Sequence, residues 1–144
     1  MPRINFIIHP IIFVKKYLRG LIMKYILIFL IGSAGYSGLE VLWRGYTHWT
    51  MALTGGLCFL IIYLLNVAFE TETILFRSLI GASVITAIEL IVGVTVNIIF
   101  KWDVWDYSSV PFNFIGQICL KYCILWFLLC VPVVMLCTGI AKII

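Results

Sequence analysis

The chain has 144 residues, of which 64% are hydrophobic and only 11% charged, with a mean hydropathy of +1.17. A soluble domain carries about 25% charged residues to cover its surface. Ten Lys and Arg with six Asp and Glu exclude a water-covered globule and make lipid the expected solvent. The length suits one domain, and four helices of about 20 residues leave room only for short connections.

The first residues form a separate unit, 1–22, read as a basic amphipathic segment lying on the membrane surface. Ile4, Ile7, Ile8, Ile11, Ile12 and Leu18 recur at helical spacing, with Arg3, Lys15, Lys16 and Arg19 among them and Pro10 interrupting the pattern. Met23 followed by Lys24 resembles an alternative start, and four complete spans remain without the segment. Residues 23–144 are the transmembrane domain, an all-α four-helix bundle. Its first span runs from about Tyr25 to Trp43, its second from Met51 to Phe69, its third from about Ser78 to Phe100 and its fourth from about Phe114 to Ile140. Each can cross about 30 Å of hydrocarbon at about 1.5 Å per residue. Pro132 leaves the Leu128 carbonyl without its helical donor. Lys24, Tyr25 to Ile31 and Gly32-Ser33-Ala34 imitate a secretory signal and cleavage site, but the apolar run continues to Trp43 and the span reading is preferred.

Basic residues give the orientation. Arg3, Lys15, Lys16, Arg19, Lys24, Arg77 and Lys142 lie on the side of the N-terminus, against Arg44 and Lys101 opposite. Both termini are therefore expected in the cytoplasm of a multi-pass cell-membrane protein. The outer side is marked by Trp43, Tyr46, Trp49, Trp102, Trp105 and Tyr107, an aromatic belt in two loops. The net charge of +4 is explained by the cytoplasmic basic flank and does not indicate nucleic acid.

The five cysteines, Cys58, Cys119, Cys123, Cys130 and Cys137, lie in apolar runs, four of them in the expected last helix. No CxxC pair occurs. They read as small packing residues, with no metal or cofactor expected. Ala34, Gly35 and Gly38, Gly55 and Gly56, and Gly81, Ala82 and Ser83 read as points of close helix approach.

Polar residues inside the spans carry the functional signal. Tyr36, Glu40 and Arg44 step by four in the first span, as do Glu89, Gly93, Asn97 and Lys101 in the third and Asn113, Gln117 and Lys121 in the fourth. Residues four apart share a helix face. Glu89 falls near the bilayer centre, where a charge costs at least about 2.5 kcal/mol, so it should face the protein interior. Lys121 lies roughly 10 Å deep, and by helical rise about 6 Å further out than Glu89. The expected partner of Glu89 is Lys121 or Gln117. Glu40, Arg44, Glu89, Asn97, Asn113, Gln117 and Lys121 thus form either a polar cavity for a solute or ion, or a network that only holds four helices together. The loop KWDVWDYSSVPFN adds Asp103, Trp105, Asp106, Tyr107 and Pro111 on the same side. Leu39-Glu40 with Arg44, against Glu89 with Lys101, and Gly56-Leu57-Cys58, against Gly116-Gln117-Ile118-Cys119, suggest two duplicated helical hairpins.

GYSGLEVLWRG, the TGGLC step and WDYSSVPFNFIGQICL resemble the bacterial putative ABC-transporter permease (type IV) membrane protein family, over about Ile31 to Leu129. The motif positions are Gly35, Tyr36, Glu40, Glu89, Trp105, Asp106, Tyr107, Pro111, Asn113 and Gly116; the family often has a Gly-Pro step where this chain has Gly55-Gly56. The resemblance implies a membrane protein and transport. The chain has no GxxxxGK[ST] phosphate loop, and four helices are few for a permease unless copies assemble, so a homo-oligomer or a partner membrane subunit is expected, with a small solute of unknown nature. The alternative is a non-catalytic interaction or regulatory subunit. No Ser-His-Asp set, HExxH or metal-ligand cluster supports an intramembrane enzyme acting on a lipid, so no enzyme activity is expected.

Overall fold

The computed structural model describes the backbone of residues 4–143 and the side chains of 14–143. Four helices form the structure: α1 (Ile4–Arg44), α2 (Trp49–Ala68), α3 (Ile74–Gly93) and α4 (Leu120–Ile143). All four are long and apolar enough to cross a membrane. Large apolar side chains such as Leu42, Leu75, Ile91 and Leu128 stay on the outside, the reverse of a protein folded in water and the arrangement lipid requires. Together these features make it a multi-pass membrane protein.

Local sequence sets the helix ends. Glycine at position 45 has φ +81°, and its N–H bonds to the Val41 carbonyl at 2.9 Å, a left-handed stop that a residue with a Cβ adopts at a cost. The His48 side chain accepts from the Thr50 N–H at the start of α2, and Thr73 caps α3 by accepting from the Phe76 N–H at 3.2 Å. The backbone of α1 is one continuous helix from Ile4, with no break at Pro10 or Met23. The amphipathic segment expected over residues 1–22 lies partly outside the described residues: nothing is described of 1–3, nor of the side chains up to 13. Through Pro132, α4 continues as a helix.

Two departures from the expected spans position the site. Instead of ending regularly, α3 widens into a π-helical turn over Val94–Ile99, with the Phe100 N–H on the Thr95 carbonyl and the Trp102 N–H on that of Val96. Such turns are uncommon and concentrate at functional sites. The last helix starts at Leu120, not near Phe114. Residues before it form a small hairpin, β1 (Asn113–Phe114) against β2 (Ile118–Cys119), paired antiparallel with Asn113 opposite Cys119. Cys119 therefore lies outside the last helix. The segments matched as a repeat also differ in conformation, since Gly56-Leu57-Cys58 is helical and Gly116 to Cys119 is the turn and second strand of the hairpin.

Packing is uneven. α1 packs chiefly on α2, α3 packs on α4, and α2 also touches α3 and α4. The α1–α2 contact is built on glycine. A Cβ at Gly32 would run into the Phe59 side chain and the Gly55 carbonyl oxygen, and one at Gly55 into Tyr36; absence of a side chain here is what brings the two backbones together. Gly81 does the same against Cys130 in α4, whereas Gly35 and Gly38, expected to serve close approach, face open space. The core joins Ile28, Phe59, Ile62, Tyr63, Ala82, Cys130, Val134 and Cys137. A second cluster, Met51, Val96, Val104 and Trp105, ties the loop after α3 to the bundle.

A cleft between α1 and α4

Both aromatic loops meet at one end of the bundle, where the rings of His48 and Trp49 lie 6.0 and 5.9 Å from that of Trp102. Beneath them, α1 and α4 stand apart. The gap holds two adjoining cavities of about 260 and 350 Å³ that share Tyr36, Leu39, Met51, Trp126 and Leu129. The first reaches the loops through Trp43, Arg44, Trp105 and Tyr107. The second reaches inward to Ile31, Phe59 and Leu136 and takes in Glu89. From Arg44 to Ile31 the cleft follows α1 for about 20 Å, at about 1.5 Å per residue.

Two carboxylates serve this cleft in different ways. Glu40 is buried and pairs with Arg44 one turn on, at 2.8 Å, while accepting from the Thr47 hydroxyl at 2.6 Å. Arg44 also donates to the Val104 carbonyl at 3.2 Å and lies over the Tyr46 ring, which fixes the guanidinium at the mouth. Glu89, 3% exposed, has neutral partners: it accepts from the Trp126 indole N–H at 2.8 Å and the Tyr107 hydroxyl at 3.1 Å. The expectation of a buried Glu89 with a partner in the last helix is met, but by Trp126, not by Lys121 or Gln117. Lys121 is exposed, its ammonium 5.7 Å from the Tyr122 ring centroid. Its helix begins only one residue earlier, so it sits at a helix end with free passage outward and does not need to snorkel from depth.

The Asn113-Gln117-Lys121 stripe does not form, because Asn113 and Gln117 belong to the hairpin and have no helical spacing to Lys121. They organise the loop. Asn113 donates to the carbonyls of Ser108 and Val110 and accepts from the Gly116 N–H. Gln117 is buried and accepts from Asn97 at 2.8 Å, while Asn97 in turn accepts from the Val104 N–H at 2.7 Å. The Trp105 indole N–H donates to the Gln117 carbonyl at 3.0 Å. Gly93 makes room for this clasp, since a Cβ there would meet the Gln117 amide and the Trp105 ring. Lys101, expected on the Glu89 face, has left the helix in a left-handed conformation (φ 56°) and is exposed.

The segment 101–116 holds four non-glycine residues at positive φ: Lys101, Asp103, Phe112 and Ile115. Such conformations persist where surrounding contacts over-determine them; the Phe112 carbonyl accepts from the Leu120 N–H at 3.2 Å and the Ile115 carbonyl from the Gln117 amide at 3.3 Å. The Tyr107 N–H bonds to the Gly116 carbonyl at 2.8 Å. Asp106 accepts from both the Ser108 hydroxyl and N–H, and these bonds hold its carboxyl below the usual carboxylate range. Pro111 is exposed at the turn, so Asp106 and Pro111 shape the loop while Trp105 and Tyr107 reach the cleft. The Tyr107 phenol is protonated at neutral pH in any case and burial raises it further, so it serves as a donor to Glu89.

Sequence reasoning missed Trp126 and Tyr122. The signal was present: a tryptophan and a tyrosine in the last span, apart from the two loops that hold the aromatic belt. It also missed a polar cluster at the opposite end, where Arg77 donates to Asn66 at 2.9 Å and to Thr138 at 3.4 Å.

The molecule is thus a four-helix membrane protein with an aromatic and acidic cleft beneath the ordered loop between α3 and α4. The family model described as "Putative ABC-transporter type IV" matches residues 27–143, and the chain belongs to that family. No curated protein and no solved structure matches it.

Proposed function

We propose that this chain is a transport-related, non-catalytic subunit whose cleft between α1 and α4 takes a small solute. The observation that carries the reading is Glu89, a buried carboxylate held by two neutral donors beside a cavity. A network serving only to hold helices together has no need for adjoining space of this size, because interiors pack closely. Family membership supports transport. Asn97, Asn113 and Gln117 shape the clasp and loop, which leaves Glu40, Arg44 and Glu89 as the ionisable residues of that set that line the cleft. The chain has no phosphate loop, so energy coupling and a complete pathway call for a partner subunit or further copies.

An open cleft is tested by a cysteine at Leu129, which lines both cavities, with the native cysteines replaced. A small hydrophilic methanethiosulfonate should modify Leu129→Cys in membranes, and Gly35→Trp, which fills the cleft, should protect it. An unreactive Leu129→Cys would favour the second reading, a regulatory subunit with a sealed polar core.

The basic asymmetry supports placing both termini in the cytoplasm of a cell-membrane protein, with the cleft mouth outside. Cysteines at Thr47 and Ser108, both exposed, should react with an impermeant reagent on intact cells. Reaction only after permeabilisation would invert the orientation.

A further inference from the structure

The lining of the cleft indicates a class of solute, provided that the cleft is open as proposed. Along it runs a row of aromatic rings: Tyr36 and Trp126 with centroids 6.0 Å apart, Trp126 and Tyr122 at 6.2 Å, and Tyr122 stacked on Tyr107 at 4.6 Å. Two of these four, Trp126 and Tyr107, direct their N–H and O–H to Glu89, so the carboxylate sits against the same wall.

The two carboxyl groups differ in their partners. Glu40 is neutralised by Arg44, whereas among the described residues no cation pairs with Glu89. Both Glu89 oxygens accept hydrogen bonds from neutral donors, so the carboxyl needs no proton of its own to satisfy its neighbours. An acidic group without a cationic partner therefore lies beside aromatic rings; a bound cation would favour its ionised form, and aromatic faces themselves attract cations. A small metal ion is a poor match, since Na⁺, Mg²⁺ and Ca²⁺ want several oxygen ligands, and among the described residues no group of three His, Cys, Asp or Glu could hold one. The inner part of the cleft is instead apolar, with Ile31, Phe59 and Leu136.

We propose that the cleft binds a lipophilic organic monocation, its charge facing Glu89 and the aromatic row and its apolar body lying in the inner cavity.

Tetraphenylphosphonium and tetraphenylborate are near-isosteric probes of opposite charge. Binding of each would be measured by equilibrium dialysis on the full chain in lipid nanodiscs, with empty nanodiscs subtracted. Tetraphenylphosphonium should bind saturably and tetraphenylborate should not. Removing the desolvated counter-charge in Glu89→Gln should weaken the cation at least about tenfold. Arg44→Gln leaves Glu40 uncompensated and should tighten binding, a gain that a misfolded protein cannot imitate. Equal binding of the two probes, absent cation binding, or an Arg44→Gln variant that binds no more tightly would each overturn the monocation. If Leu129→Cys is still labelled, the open cleft survives that failure; if it is not, both readings fall.

Discussion

Gly32→Val is expected to separate α1 from the rest of the bundle. The new Cβ would overlap the Phe59 Cβ and approach the Gly55 carbonyl oxygen to 2.8 Å. Neither is the mobile tip of a side chain: one is attached to the α2 backbone and the other belongs to it, so relief requires the helices to move apart. Overpacking where nothing can yield costs about 3 kcal/mol. Here the loss is amplified because the principal packing of α1 is on α2. Within lipid, no hydrophobic driving force compensates for lost close packing between helices. Thermal unfolding in detergent should show a large fall for Gly32→Val. Gly38→Ala, by contrast, meets nothing within 4 Å and should be neutral or more stable by up to about 1 kcal/mol, the helix propensity of alanine over glycine. Equal losses at both positions would show that the glycines act through chain flexibility and not through contact.

That contrast shows how far the sequence could be read. Hydropathy alone indicates four spans, because a run of apolar residues long enough to cross lipid has few other uses. Which small residues face a neighbour is not contained in such a run, since every face of the helix is apolar. Gly32 looked like part of a cleavage site, and Gly35 and Gly38 looked like contact residues, yet only Gly32 touches α2. Pair spacing failed where the backbone stopped being a regular helix. The Asn113, Gln117 and Lys121 spacing is helical on paper, but Asn113 and Gln117 have better uses for their amides in a turn, and Gly116 at φ +70° closes the hairpin. The π-turn likewise shifts the residues beyond Gly93 out of the expected register. Legible throughout was the grouping of polar residues near the aromatic loops, with Glu89 inside. Its partners were not, because an indole N–H and a phenol hydroxyl count as apolar or interfacial in any pattern based on hydropathy, although each donates a hydrogen bond as well as an amide does.

Glu89→Leu should destabilise the protein, and the size of the loss depends on who its partners are. The substitution leaves the Trp126 N–H and the Tyr107 hydroxyl without their acceptor, at about 1–3 kcal/mol for each unsatisfied buried donor. Against this stands the relief of no longer burying a carboxylate, so a net loss of about 2 kcal/mol is expected. Glu89→Gln should cost less: its amide oxygen can still accept from Trp126, and its NH₂ can donate to the Tyr107 oxygen once that hydroxyl rotates. Lys121→Met, at an exposed position, should change stability by less than about 0.5 kcal/mol. The decisive comparison is the triple variant Glu89→Leu, Tyr107→Phe, Trp126→Phe. Removing the donors along with the acceptor eliminates the unsatisfied groups, so much of the Glu89→Leu loss should return, and the three single losses should sum to more than the triple. Unfolding temperatures of the single and triple variants in one detergent measure this directly. Strictly additive losses would mean that the three side chains do not act as a unit, and a substantial loss in Lys121→Met would restore the ion pair that its exposed position argues against.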